Sequence, residues 1–473
     1  MNLQNDATLT ISQLAPLLRR RKLSPVELTR WILTRIERLQ PHLNAYITIT
    51  SDLALRQARQ AEKEIAKGQY RGPLHGIPIS LKDLFHTRGV RTTGGSRILR
   101  RFVPSDDAPA AARMSAAGAV LLGKTNLHEF AYGATNVNLH YGAVRNPWDL
   151  DRMSGGSSGG SAASVSAALA LASLGTDTGG SIRIPAAACG CVGLKPTHGL
   201  VPLSGVIPLA PSLDHVGPLC RCVEDAALIL SSIAGADPND PSSLAAPAAS
   251  FTRELRAGIK GLRIGIPKQY FFDRIQSGVR TLVLAAISML EKLGARIHEV
   301  NLELMQETAV LAGVITVAEA LPYHWRWLRT RAGDYDPAIR ARMEASKDLP
   351  AVEYLLAQER RRSYSAKFER VMRSVDLLAA PTLPIFAPRI GDAEVAAGRS
   401  REDVRMALLR LTRPANLTGL PSISVPCGFS TGGLPAGLQL IGRRWDEATL
   451  LRAAYAYEQA TPWHQQFPQV AVS

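Results

Sequence analysis

Cysteine is scarce in this chain. Five occur in 473 residues, an odd, scattered set that fits a reducing compartment better than a disulfide framework. The close pairs Cys189-Gly-Cys191 and Cys220-Arg-Cys222 are spaced more tightly than structural zinc sites favour. They read as buried thiols, and neither a metal nor any other cofactor is expected. His128-Glu129 lacks the second histidine of a zinc-protease helix. No run is long and apolar enough to span a membrane. Residues 1–18 have no basic segment leading into an uninterrupted apolar core, so no secretory leader and a cytoplasmic location are expected. Internal repeats are absent. Lys and Arg exceed Asp and Glu by 15, which permits an anionic partner without requiring one. The basic clusters Arg19-Arg20-Arg21-Lys22 and Arg360-Arg361-Arg362 sit in helix-like sequence with no nucleic-acid motif around them. They read as solvated faces, and nucleic acid is not an expected partner.

Apolar material is ample. Hydrophobic residues make up 46% of the chain, and strand-like and helix-like segments alternate along most of it, the pattern of an α/β fold. Ser24-Pro25-Val26-Glu27 puts serine at a cap and proline at the first helical position, a strong helix start. Thr10 or Ser12 caps an earlier helix. Residues 77–81 fit a buried strand, and 120–122 another, with a loop from Gly123. Further strand candidates are 262–266, 296–300, 377–380, 423–426 and 437–441, before a closing helix from Asp446. The chain reads as one domain over 1–473, with a motif-bearing region at 72–235 and a helical and loop excursion over about 236–375.

Residues 152–183, RMSGGSSGGSAASVSAALALASLGTDTGGSIR, stand out. Four glycines fall within Gly155 to Ser161, too many for a helix throughout and suited to turns and close backbone approach. Such a segment is usually a flexible linker, but this one runs straight into core-type sequence. An anion-binding nest of N–H groups is harder to separate from catalysis, because an oxyanion hole is physically the same object. Gly156-Ser157-Ser158-Gly159-Gly160 also fits a nucleophile elbow centred on Ser158. That elbow needs a preceding strand, and residues 146–152 read as a turn. Upstream, Lys82 ends the apolar strand at 77–81. Surface placement is usual for lysine, but a buried lysine loses its proton easily and can act as a base. Phe130-Ala131-Tyr132-Gly133 is a plausible pocket wall.

Taken together, Lys82, the run Gly155-Gly156-Ser157-Ser158-Gly159-Gly160-Ser161 and the run Gly175-Thr176-Asp177-Thr178-Gly179-Gly180-Ser181-Ile182-Arg183 resemble the amidase signature family. The resemblance covers almost the whole chain, including Gly193-Leu194-Lys195-Pro196-Thr197 and Gly437-Leu438-Gln439-Leu440-Ile441-Gly442. It implies a large mixed central sheet covered by helices on both faces, and a Ser–cisSer–Lys triad. Ser181 is then the nucleophile that forms an acyl-enzyme. Ser157, on a cis peptide, relays protons between Ser181 and the base Lys82. Backbone N–H groups of Thr178, Gly179, Gly180 and Ser181 hold the oxyanion. Tyr132 and Gly133 match positions lining the acyl pocket, while Asp177 and Arg183 support the nucleophile loop, with Ser158 also in a supporting place. Ser154 stands where relatives often have proline, a change expected to be harmless. The residue types suit the chemistry. A serine hydroxyl needs a base, and a lysine serves near neutral pH only if its pKa falls from about 10.4.

Two readings are open inside the family. One is a stand-alone amidase that hydrolyses a small carboxylic amide to acid plus amine or ammonia. The other is the A subunit of a glutamyl-tRNA amidotransferase, which makes ammonia from glutamine beside partner subunits. That subunit usually carries Tyr-Asp-Gly and Arg-Tyr-Gly stretches. Residues 318–342, AEALPYHWRWLRTRAGDYDPAIRAR, contain neither, which favours the stand-alone reading. An α/β-hydrolase esterase using Ser158 ranks third. Loops over 305–350 and 385–405 are expected to shape the pocket. The acyl and amine groups stay open, as does the oligomeric state, a homodimer included.

Overall fold

The computed structural model describes residues 9–245 and 250–472. Residues 1–8, where the leader reading begins, lie outside the described residues. The first half of the chain supplies β1 (Tyr46–Ile49), β2 (Pro78–Lys82) and β3 (Val120–Thr125), then the hairpin β4 (Arg145–Asn146) and β5 (Asp149–Met153), then β6 (Ala172–Thr176), β7 (Val192–Lys195) and β8 (Val216–Cys220). The second half adds β9 (Arg263–Pro267), β10 (Arg296–Val300), β11 (Leu377–Pro381), the hairpin β12 (Glu394–Ala397) and β13 (Ser400–Asp403), then β14 (Ser422–Phe429) and β15 (Pro435–Gly442). Eleven of these form one sheet in the order β1-β3-β2-β6-β8-β7-β14-β15-β11-β9-β10. β2 runs parallel to both β3 and β6, whereas β6–β8 and β14–β15 are antiparallel, so the sheet is mixed.

Alternation along β11 explains why both faces are covered. Leu377 and Ala379 join the larger core with Val283 and Leu290 of the helix Ser277–Lys292. Leu378 and Ala380 point the other way, into a second core with Leu311 and Ile315 of the helix Thr308–Thr330 and Phe368 of the helix Ala351–Ser374. The helix starts read from sequence hold. Thr10 closes a capping box with Gln13, and the Ser24 hydroxyl accepts from the N–H groups of Val26 and Glu27.

Three local expectations are corrected. The strand at 120–122 does not stop at Gly123 but continues to Thr125. Gly123 adopts φ +157° and pairs with both Ile49 and Ser80, and a Cβ there would sit 2.3 Å from the Thr48 carbonyl oxygen. Glycine here permits close pairing rather than a turn. Residues 149–153 are a strand, not a turn, although it is a half-exposed hairpin arm rather than the buried strand an elbow requires. Most of 305–350 is helix, chiefly Thr308–Thr330 and Pro337–Glu344, and 385–405 carries the β12–β13 hairpin. Gly313, Thr316 and Pro322 interrupt the apolar stripe of the long helix and hide it in the sequence.

Candidate active site

All five residues of β2 are buried, and the strand ends on Lys82. β6 lies parallel beside it, with Leu81 opposite Leu174, so Thr176 ends at the same edge of the sheet. The carboxyl ends of parallel strands are where such sheets open a crevice. Lys82 is fully buried, and its Nζ donates to Ser157 Oγ at 2.7 Å and to Thr176 Oγ1 at 2.7 Å. Burial lowers its pKa to about 7, against upward pulls from Asp177 and Asp214. Ser157 follows a cis peptide from Gly156. Ser158 begins the turn into the helix Gly159–Ser166, with its hydroxyl 3.2 Å from the Thr176 carbonyl oxygen. Its N–H donates to the Ser181 carbonyl oxygen at 3.2 Å, which ties the two serine loops together. The Ser181 hydroxyl has no hydrogen-bond partner among the described residues and lines a cavity of about 540 Å³. Lys82 and Ser157 are thus directly bonded, and Ser181 joins them through the backbone next door.

Asp177 organises the nucleophile loop. It accepts from the N–H groups of Gly180 (2.8 Å) and Ile182 (3.1 Å), and forms a fully buried pair with Arg183, Nη2 to Oδ1 at 2.9 Å. Burial alone would raise its pKa, but the Arg183 charge and hydrogen bonds outweigh that and hold it at about 2. Arg183 spends its remaining donors on Gln439 Oε1 and Asn416 Oδ1, both at 2.7 Å. A buried ion pair is tolerable when its other polar atoms are satisfied in this way. Gly180 adopts φ +129°, and a Cβ there would fall 2.1 Å from Thr412 Oγ1. Its N–H is committed to Asp177, a departure from the four-donor oxyanion reading. The N–H groups of Thr178, Gly179 and Ser181 have no partner among the described residues. Thr178 is itself anchored through its hydroxyl to Asp214, which also accepts from the N–H groups of Leu209 and Ala210.

Residues 27–451 match the family model Amidase. The chain belongs to the amidase family. It is 44% identical, over 96% of its own length and 98% of the relative's, to the A subunit of the glutamyl-tRNA(Gln) amidotransferase of Trichlorobacter lovleyi. Among solved structures, it overlays with a TM-score of 0.92 and 37% identity on a chain from a vestigial protein complex that bears on the origins of an s-triazine catabolic enzyme, covering 95% of this chain and 98% of that one. A bacterial aryl acylamidase of the amidase signature family gives a TM-score of 0.90 at 30% identity, with 98% of each chain covered. This amidase is a hydrolase of carbon–nitrogen amide bonds.

Tyr132 and Gly133 line the same cavity as Ser181, on the wall formed by residues 131–133. Most of the rest of the lining comes, as expected, from 305–350 and 385–405, as the helix Thr308–Thr330, Arg342 and Arg405, although as helix rather than loop; Arg413 lies outside those ranges and was missed. Arg405 and Leu409 lie four apart on one face of the helix Val404–Arg410, a spacing that could have flagged them, whereas Arg413 opens the next helix, Arg413–Thr418, and carries no such signal. Thr176, Asp214, Asn416 and Gln439 were also missed as supports. Gln439 alone carried a signal, as the polar position in an otherwise apolar strand. All five cysteines are free and buried, and burial pushes the Cys189 and Cys191 thiols up. Cys189 Sγ donates to the carbonyl oxygen of buried Ser154 at 3.3 Å. Among the described residues no group of three or more His, Cys, Asp or Glu side chains could hold a metal, and no helix is long and apolar enough to cross a membrane.

Proposed function

We propose that this amidase cleaves a carboxylic amide through Lys82, Ser157 and Ser181. Neutral Lys82 takes the Ser157 proton as Ser157 takes that of Ser181, whose oxygen attacks the carbonyl carbon. The N–H groups of Thr178, Gly179 and Ser181 face the developing oxyanion, each such donor being worth roughly 3–4 kcal/mol in a dry site. Lys82 then returns its proton through Ser157 to the leaving nitrogen, the amine departs, and water hydrolyses the acyl-enzyme. Tyr132 and Gly133 wall the acyl side, while Asp177, Arg183 and Ser158 fix the loop that carries Ser181. The observation that carries this reading is the 2.7 Å bond from a fully buried, pKa-lowered lysine to Ser157. Drawing one sheet from residue 46 to residue 442 supports treating the chain as a single unit. The decisive comparison is turnover of a chromogenic anilide by Ser181→Ala and Ser158→Ala. Ser181→Ala is expected to be inactive and Ser158→Ala active; the reverse pattern would install Ser158 as nucleophile.

A second reading, glutamine hydrolysis within an amidotransferase, draws support from the relatives named for that role. The stand-alone reading draws on the missing Tyr-Asp-Gly and Arg-Tyr-Gly stretches and on the likeness to an aryl acylamidase. Assaying the purified chain alone separates them: anilide turnover without partner subunits supports the first, and glutamine turnover only with them supports the second.

A further inference from the structure

Three guanidinium groups and no carboxylate line the cavity in front of Ser181. Arg413 is only 6% exposed and has neither a hydrogen-bond nor an ion-pair partner among the described residues. Its stem runs beside the oxyanion loop: a Cβ on Gly179 would lie 3.6 Å from its Cγ and 3.9 Å from its Nε. Arg405 has a buried Nε without a partner, and its Nη1 meets only Met406 Sδ at 3.9 Å. Arg342 lies over the Tyr132 ring, 5.1 Å from its centroid, and spends Nε on the Ala338 carbonyl oxygen at 3.1 Å. The neighbouring acids Asp336 and Asp403 pull on Arg342, and Asp403 on Arg405, through space but not in contact. Asp403 caps its helix through the Met406 N–H, Asp336 caps another through Ala338 and Ile339, and neither forms an ion pair with these arginines. Burial, followed by repulsion from Arg405, lowers Arg413 to about 10, which still leaves it charged at neutral pH.

Like charges gathered in a largely apolar cavity oppose one another until an anion joins them, and a guanidinium fork suits a carboxylate. We infer that the acyl group accepted here bears a carboxylate and no ammonium, as in the half-amide of a dicarboxylic acid. Hydrolysis of such a substrate takes up one water, breaks the C–N bond and yields the dicarboxylate and ammonium, the proton of the new carboxylic acid passing to the departing ammonia. Glutamine fits poorly, because its ammonium would face three cations with no acid in the wall to receive it. This inference rests on the amide-hydrolase reading above, and it is tested by binding as well as by turnover.

The binding probe is glutarate, titrated calorimetrically into the turnover-deficient Ser181→Ala protein beside glutaramide (the uncharged diamide) and glutamine. Glutarate is expected to bind at least 30-fold more tightly than either. Arg405→Met, at a half-buried position more tolerant than Arg413, is expected to weaken glutarate at least tenfold. Equal binding of the diamide or of glutamine, or an unchanged glutarate affinity in Arg405→Met, overturns the inference. With wild-type protein, kcat/KM for glutaramate should exceed that for butyramide about 100-fold. Faster cleavage of N-acetylglycine would move the carboxylate to the leaving amine and overturn the acyl assignment. Tight glutarate binding without turnover of any amide rejects the catalytic reading alone. Anilide turnover without glutarate selectivity rejects only the anion inference.

Discussion

Around Lys82, Ser157 and Ser181 almost every side chain is buried and most are polar, whereas the helix Thr308–Thr330 across the cavity is only half-buried, with Val310 62% exposed. The first region is over-determined. Asp177 alone fixes two loop N–H groups, Arg183 and Asn416, and through Arg183 it reaches Gln439 in β15. The second region rests on apolar contacts of one helical face, Leu311, Ala312 and Ile315, and turns small or apolar residues to the cavity. Networks of buried polar groups tolerate little change because each lost partner strands another. A half-exposed helix face can vary at little cost. The contrast teaches a division of labour: the serine loops and β2 carry the bond-breaking chemistry, and the facing helices with their arginines choose what enters.

That division can be broken or sharpened in order of effect. Lys82→Met should lower kcat/KM for an anilide by roughly 10⁴-fold, the upper range for a lost general base, in a protein that still melts cooperatively. Near-normal activity would remove the lysine from the mechanism. Asp177→Ala should destabilise the fold by about 3–5 kcal/mol, because it leaves Arg183 buried and uncompensated; a denaturant midpoint like wild type would refute the over-determined loop. The pH dependence follows from the lowered Lys82 pKa of about 7. Only the neutral amine accepts a proton, so kcat/KM should fall about tenfold per pH unit below that value and level off above it. A profile flat from pH 5 to 8 would mean that no such base is titrating. On the other side of the cavity, Val310→Ala should change stability by no more than about 0.5 kcal/mol, and a loss approaching that of Asp177→Ala would erase the contrast.

The two regions also differ in how far the sequence reveals them. Strands and motif loops are legible because local rules agree there: 77–82 is a short, mostly apolar run ending in lysine, Ser24-Pro25 starts a helix, and the glycine-serine runs admit few conformations. The pairing of Asp177 with Arg183 is legible from the motif, but of the residues that complete Arg183's bonding, Asn416, 233 residues away, leaves no local trace, and Gln439, 256 away, shows only as a polar position in an apolar strand. The Gly180 donor is lost to Asp177 for a similar reason, since only the folded loop shows where each N–H points. Gly123 misleads because glycine marks both turns and bulges. Helix Thr308–Thr330 is obscured because it bears the cavity: Gly313 and Thr316 face empty space, where the usual apolar stripe would have filled it.

The most direct test is to quench the wild-type protein with a serine-directed fluorophosphonate and locate the adduct by peptide mass spectrometry. The account predicts a single modified peptide carrying the label on Ser181, with labelling slowed strongly in Lys82→Met. Label on Ser158, or equal labelling rates with and without the lysine, would contradict it.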